Sequence, residues 1–442
     1  MSTYLVISKI QIQQIASDQF PNRNRVFVFK YLNKYEGESS WANLTQTLKI
    51  TLPKRVQLFA YTNDGTPFGY DPSSSPQPVQ LGNVVGNDSN LGGLDSEPVF
   101  LRGDLIRFDV GYSAIISDGN NGREQTYMTG ENGLPHMFEG LLSSVQPKYP
   151  FTLECEDWTW LLKQMPTPAK QWGSMTLGEI VTSIIADSQD LPIIARYKGF
   201  INLSVSDFST TDLKFNVNNF ITIRGNLGEL LARIKSQYRV DSYFRGQQLR
   251  IGLLHYQPDD VTKPYPVFTF QKNILDNDKL QWRRRDDTVM SMIVKSNYLT
   301  EKTGTTLDGH ATTKHASTEV LVYSNFDGHF EKVVKEKGKD FPTKYLHEIG
   351  TRFTFNIYDA ITDTDKLFAI GKAQLEKYYY NGFKGSFTTF GIPYIKHGDT
   401  IQIVDNALPE RTGLYKVKSV SYYGGYEDGL RQEITIDYKV SE

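Results

Sequence analysis

Apolar and polar residues alternate with a period of two along many segments of this chain, and in three stretches the pattern is that of a helix. RVFVFKYL (Arg25–Leu32) alternates, with Val26, Val28 and Tyr31 near a change of face. LTQTLKITLP alternates more cleanly: Leu44, Gln46, Leu48 and Ile50 oppose Thr45, Thr47, Lys49 and Thr51, and Pro53 ends the strand. After the turn Gly103-Asp104, one face carries Ile106, Phe108 and Val110 and the other Leu105, Arg107 and Asp109. MFEGLLSSVQP follows, and FTLECED then sets Phe151, Leu153 and Cys155 against Thr152, Glu154 and Glu156. Period two on successive strands implies a sheet with one buried face.

The helical period begins at TLGEIVTSIIADS, where Leu177, Ile180, Val181, Ile184 and Ile185 form one stripe and Thr176 with Glu179 makes a capping box. NLGELLARIKSQY repeats the device, with Leu227, Leu230, Leu231 and Ile234 behind an Asn226 cap and Glu229 three residues on. DSYFRGQQLRIGLL reads as a hairpin turning at Arg245 to Gln247. KLQWRRRDDTVMSMIVKSNY predicts two strands. DKLFAIGKAQLEKYYYNG predicts a helix over 365–381 that Gly382 stops. In the last strand Ile434, Ile436, Tyr438 and Val440 face one way and Thr435, Asp437 and Lys439 the other. Three segments rich in Gly, Ser, Asn, Asp and Thr, 63–98, 117–133 and 301–316, read as inserted loops.

The turn Gly398-Asp399 repeats the first one. Each is followed by strand, strand, strand in the same order, through GLYKVKSVSYY and RQEITIDYKV in the second copy. The simplest reading is a duplicated β-domain interrupted by an α/β unit. The expected division is 1–157, 158–275 and 276–442, and the fold class is mixed, β-rich α+β and multidomain. Two similar domains per chain give a pseudo-sixfold ring when three chains surround one axis.

The chain has 442 residues and a mass of 50.3 kDa, ample for several cores. A net charge of −2 argues against a general basic field for nucleic acid. The single cysteine, Cys155, excludes an internal disulfide framework and a multi-cysteine zinc site, and fits assembly in a reducing cytoplasm. MSTYLVISKIQIQQIASD lacks the basic and apolar regions of a signal peptide, and no apolar run approaches the roughly 20 residues of a membrane helix. The 26 Tyr and 25 Phe, with many Thr and Val, suit strands.

Candidate chemistry is thin. His310 and His315 would need a third ligand to hold a metal, and a solvated loop explains them better. Glu154 and Glu156, with Asp157 beside them, have the i, i+2 spacing that puts two carboxylates roughly 7 Å apart, within the range of glycoside hydrolysis. A solvated polar strand face or a rim of contacts to another subunit explains them better. Asp359, Asp363 and Asp365 lack the glycine and terminal glutamate of a calcium loop and read as an acidic helix start. Arg283, Arg284 and Arg285, ahead of Asp286 and Asp287, suit a charged lumen, a neighbouring chain or a solvated strand. The RGD at Arg102 to Asp104 is better explained as a strand turn, since the second copy has HGD. Cys155 lies on an apolar strand face, as a packing residue does. No residue is assigned a catalytic, cofactor-binding or metal-ligating role, and no cofactor is expected.

In order, LTQTLKITLP, RGDLIRFDVGY, MFEGLLSSVQPKYPFTLECEDWTWLLK, TLGEIVTSIIADS, NLGELLARIKSQYRVDSYFRGQQLRIGL, GIPYIKHGDTIQIVD and the closing strands resemble the baseplate hub proteins of phage tails. These include the late control protein D family, and the hub part of type VI secretion spike proteins is similar. The resemblance spans most of the chain and rests on order and spacing. It implies two tube-protein-like antiparallel β-barrel or sandwich domains flanking a smaller α/β domain, and a homotrimeric ring. It further implies a structural role in the virion tail tip or baseplate, assembled in the host bacterial cytoplasm. The partners would be the tail tube protein, a separate spike protein, other baseplate or tail-tip proteins, and tape measure protein or DNA in the lumen. The rival readings are a β-rich cell-wall glycan hydrolase and a carbohydrate-binding adhesin module.

Overall fold

The computed structural model describes residues 2–53, 57–62, 77–80, 99–117, 123–127, 134–146, 151–173, 175–208, 216–217, 220–238, 240–253, 264–285, 290–299, 315–324, 329–336, 338–342, 352–357, 362–425 and 428–441. The first strand set comprises β1 (Ser2–Gln13), β2 (Arg25–Phe29), β3 (Lys34–Ser40), β4 (Thr47–Leu52), β5 (Gln57–Thr62), β6 (Gln77–Gln80), β7 (Leu105–Ser117), β8 (Arg123–Tyr127), β9 (His136–Gln146) and β10 (Phe151–Glu156). It runs β6–β5–β2–β1–β7–β9–β10–β4–β3, antiparallel throughout, with β8 on the far half of β7. The alternation that specifies these strands buries Ile106, Phe108, Val110, Leu153 and Cys155 on one side. Leu105 and Asp109 are buried too, so β7 is covered on both faces at its start.

The α/β unit holds α1 (Thr159–Leu162), α2 (Leu177–Ser188), α3 (Pro192–Ala195) and α4 (Leu227–Tyr238). Three short ladders pair β11 (Pro166–Thr167) with β17 (Gly225–Asn226), β12 (Lys170–Gln171) with β16 (Ile221–Thr222), and β13 (Met175–Thr176) with β15 (Asn216–Val217). A small sheet sets β14 (Ser204–Asp207) parallel to β19 (Gln248–Leu253), which pairs antiparallel with β18 (Val240–Arg245). Both capping boxes form: Glu179 N donates to Thr176 Oγ1 at 3.2 Å, and Glu229 N donates to Asn226 Oδ1 at 2.9 Å. Each helix buries the stripe its spacing predicts.

The second strand set comprises β20 (Val267–Thr269), β21 (Ile274–Asp276), β22 (Leu280–Arg283), β27 (Gly382–Phe390), β28 (Thr400–Val404), β29 (Gly413–Gly425) and β30 (Gly429–Ser441). Its order is β20–β28–β29–β30–β27, with β21 and β22 side by side along the outer edge of β27. Between β22 and β27 lies a four-stranded sheet, ordered β25–β24–β23–β26, of β23 (Ser291–Leu299), β24 (His315–Ser324), β25 (Phe330–Val334) and β26 (Arg352–Ile357). Helix α5 (Thr364–Glu376) packs on β23 and β24. Strand β3 also pairs with β29 over Ser40–Lys34 against Ser419–Gly425, fusing the two strand sets into one sheet system.

Several expectations change. Residues 267–275, placed with the α/β unit by sequence, contribute β20 and most of β21, which pair with β28 and β27. The segments expected as loops at 63–98 and 117–133 contain β6 and β8, and 301–316 ends in the start of β24; their remaining residues lie outside the described ones. Strand β4 starts at Thr47, leaving Leu44 and Gln46 in the preceding loop. Helix α5 ends at Glu376, and Gly382 opens β27 rather than stopping the helix. Val440 is exposed at the end of β30. Among the described residues no pairing closes either strand set into a barrel. No helix of the described residues is long and apolar enough to cross a membrane.

The repeat seen in the sequence extends to individual hydrogen bonds. The order β7–β9–β10–β4–β3 matches β28–β29–β30–β27–β22. In the first set Leu142 faces Cys155 and the next pair is Ser144–Glu154. In the second Val417 faces Ile436 and the next pair is Ser419–Thr435. One residue, Ser143 or Lys418, is thus bulged out at the same point. Gly103 N donates to Leu142 O at 2.8 Å and Leu142 N donates to Asp104 O at 2.9 Å. Gly398 N and Val417 N make the same two bonds, to Val417 O and Asp399 O, each at 2.9 Å. Both glycines need positive φ, 95° and 82°.

A Cβ on Gly103 would come within 2.6 Å of the Tyr197 hydroxyl. Gly103→Ala is therefore expected to cost more than the about 1–3 kcal/mol of backbone strain alone. Gly246→Ala, at φ 57° with open space around it, is expected to cost about 1–2 kcal/mol. Thermal denaturation of the two variants beside the parent checks the ranking.

Candidate assembly face

Each Gly-Asp turn carries a buried aspartate, and its carboxylate is what fixes the turn. Asp104 Oδ2 accepts from Leu101 N at 2.7 Å and Asp399 Oδ2 accepts from Lys396 N at 2.8 Å, closing the same four-residue turn. Each also receives an arginine. Asp104 is paired with Arg23, which is buried with it, and Asp104 Oδ1 accepts from Ile15 N at 3.1 Å. Burial pushes the Asp104 carboxyl up, and the Arg23 guanidinium opposes it. Asp399 receives Arg245 at 2.6 Å, and the same guanidinium donates to His397 O at 2.8 Å.

The two arginines come from different places. Arg23 precedes β2 within the first strand set, whereas Arg245 is the tip of the β18–β19 hairpin. The second turn thus grips the α/β unit. The first turn grips it by another route: Tyr197 Oη donates to Gly103 O at 2.8 Å, and Trp160 packs edge-on against Tyr197. His397 lies edge-on to Tyr243 at 4.9 Å and meets the Ser39 hydroxyl through Nδ1. Burial, with Arg245 and Lys396 nearby, drives the imidazole well below its ordinary value, so the ring is neutral.

The β3–β29 seam gives the molecule a face built from both strand sets. One row crosses six strands: Phe390, Arg431, Tyr423, Glu36, Lys49 and Glu154. The next row is Thr388, Glu433, Ser421, Glu38, Thr47 and Glu156. These side chains are exposed or half-buried, while Tyr35, Leu48, Cys155 and Ile434 on the opposite side are in the core. Glu36, Glu38, Glu154, Glu156 and Glu433 stand against Lys49 and Arg431 in these rows, and Lys163 and Lys279 pair with Glu156 and Glu433 from outside them, so the face keeps a modest acidic excess. A shallow groove of about 790 Å³ runs along it, bounded by both sets.

The sequence candidates separate accordingly. Glu154 and Glu156 lie on this face, but Glu154 accepts from Gln146 at 2.9 Å and Glu156 pairs with Lys163 at 2.5 Å. Asp157 turns inward, and burial pushes its carboxyl up to about 7. Asp104 of the RGD is buried, so its carboxylate is directed into the fold and not to a receptor. Cys155 is a buried free thiol pushed up by burial. Asp363 caps α5, accepting from Asp365 N at 2.8 Å, and Asp365 pairs with Lys332. Arg283 lies over Tyr380, and burial lowers its pKa. Arg284 and Arg285 are exposed. His315 begins β24, while His310, Asp359, Asp286 and Asp287 lie outside the described residues. No group of three His, Cys, Asp or Glu able to hold a metal occurs among the described residues.

No family model matches the chain, and no curated protein does. Among solved structures, the tail protein from Neisseria meningitidis MC58 aligns over 99% of this chain and 96% of its own, at 11% identity and a TM-score of 0.48. The 43 kDa tail protein of prophage MuSo2 from Shewanella oneidensis aligns over 98% of each chain, at 12% identity and a TM-score of 0.48. Prophage tail protein gp18 from Listeria monocytogenes EGD-e aligns over 98% of this chain and 95% of its own, at 9% identity and a TM-score of 0.43.

Removing Arg245 leaves Asp399 buried without its cation. Arg245→Ala is therefore expected to cost about 3–5 kcal/mol, and Arg245→Lys, which keeps the charge but loses the two-point contact, less. Chemical denaturation checks this. His397 is neutral in the fold and takes a proton on unfolding below its ordinary value of 6.5. It thus contributes stability above about pH 6.5 that is lost as pH falls, by up to about 1.4 kcal/mol per unit. His397→Gln is expected to flatten the acid limb of a melting-temperature profile from pH 5 to pH 8 relative to the parent.

Proposed function

We propose that this chain is the structural hub of a phage tail tip or baseplate, or of a related contractile injection machine. Three copies close a ring that joins a hexameric tail tube to a separate trimeric spike and lines the channel between them. The observation that carries this reading is the head-to-tail relation of the two strand sets. The last strand of the first repeat, β3, pairs with β29, the second strand of the next repeat. A head-to-tail contact between like modules, continued from chain to chain, closes into a ring when the rotation allows. Two modules per chain give six around a threefold axis, which answers a sixfold tube on one side and a threefold spike on the other.

In this reading the chain is divided into two tube-like β-domains and the α/β unit, which the Gly-Asp turns hold at their junction. The acidic face lines the lumen, where like charge keeps a nucleic acid from adhering as it passes. The work is geometric, and burial at the chain-to-chain contacts supplies the energy. The protein belongs in the virion, and its neighbours are tube, spike and other baseplate or tail-tip proteins.

Native mass spectrometry of the purified protein tests it. A particle of three times 50.3 kDa, six-lobed with a central hole in negative stain, is expected. A protein that stays monomeric at high concentration and binds or cleaves glycans overturns the reading.

A further inference from the structure

The repeat predicts which edges meet between chains, and this inference rests on the ring reading. Strand β3 fills a gap beside β29: β28 pairs with Gly413–Lys416, and β3 takes over from Ser419 onward. The first strand set has the same gap unfilled. Strand β7 pairs with β9 only as far as Leu141, and Leu142 bonds to the Gly-Asp turn. Among the described residues no strand covers the edge of Ser143–Gln146 on that side. The second set correspondingly carries an uncovered strand. Leu48 and Gly385 occupy matched places, facing Cys155 and Ile436. Leu48 pairs outward with Gly37 in β3, and Gly385 with Leu280 in β22. Strand β22 is therefore the counterpart of β3, and among the described residues its outer edge has no strand beside it.

We infer that β22 of one copy pairs antiparallel with the Ser143–Gln146 stretch of β9 in the next copy, repeating between chains the β3–β29 seam made within each chain. The registers transfer directly. Ser421↔Glu38, Val420↔Ser39 and Ser419↔Ser40 become Gln146↔Gln281, Val145↔Trp282 and Ser144↔Arg283. Chemistry agrees with the register. Val145 and Trp282 are half-buried in the single chain, and the seam sets them side by side on the core-facing side. Gln146 and Gln281 are exposed and meet on the polar side, and Arg283 enters the row of Glu154. The edge backbone groups of both strands, beside which no described strand lies, gain ladder partners. The polar face then runs unbroken around the ring through alternating seams of the same design.

The test is the double variant Gln146→Cys with Gln281→Cys, two exposed positions whose replacement leaves the core untouched. Under mild oxidation, disulfide-linked species of two and three chains are expected on a non-reducing gel, disappearing with reductant. They should be absent from either single variant. Hydrogen exchange on the unmodified protein is the second measurement: amides of 143–146 and 280–283 should slow by about tenfold or more in the assembled particle. A trimer by native mass that shows neither linkage nor protection overturns the seam and leaves the ring standing. A protein that remains monomeric at high concentration overturns the seam, and one that also binds or cleaves glycans overturns the ring as well.

Discussion

A carboxylate removed from water inside a turn is the constraint on which this architecture depends. Asp104 and Asp399 each close a four-residue turn through Oδ2 and require a cation, which meets the same oxygen in Asp104 and Oδ1 in Asp399, since a buried carboxylate without one is costly. That demand reaches well beyond the turn. It brings in Arg23 from the first strand set's own amino-terminal segment, and Arg245 from a hairpin of the α/β unit. The strand after each turn, its bulged neighbour and the third strand then follow in fixed register. One local requirement, met twice with different donors, places three parts of the chain against one another.

The β3–β29 seam adds a second level. An edge strand is normally a liability to be blunted by charge, bulge or cover. Here the edge of the first repeat is consumed by the second, and its outward side chains carry mostly carboxylates. The seam also joins the interiors of the two sets, since Ser39 of β3 meets His397 of the second turn. Tyr112 from β7 both receives from Leu430 N at 2.9 Å and donates to Leu430 O at 3.2 Å, so the sets are tied by hydrogen bonds away from the ladder as well.

Much of this was legible in the sequence because it is local. Period-two alternation located long core strands such as β4, β7, β10 and β30, the T-x-x-E and N-x-x-E boxes located α2 and α4, and the two Gly-Asp turns exposed the repeat. What escaped is nonlocal. Nothing near Asp104 names Arg23, 81 residues away, and nothing near Asp399 names Arg245, 154 residues away. The strands at 267–276 are too short to show a period, so they were grouped with their sequence neighbours rather than with β27 and β28. Strands β6 and β8 hide in polar, Gly-rich surroundings, where pairing rather than propensity decides. The four-stranded sheet on α5 was visible only as β23, because β24 and β25 alternate poorly and β26, though it alternates, is only six residues long. The acidic face could not be read at all, since its rows draw one residue from each of six strands.

The distance between the partners of the seam has a consequence for synthesis. Ser39 leaves the ribosome long before Val420, its partner across the seam. At about 5–20 residues per second the edge of β3 waits roughly 20–70 s for the strand that will cover it. Throughout that interval the nascent chain presents an open strand whose natural mate has not been made, while neighbouring ribosomes on the same message present identical ones. The charges along β3, Lys34, Glu36 and Glu38, therefore act before the fold exists, discouraging pairing with the wrong copy until the right strand arrives.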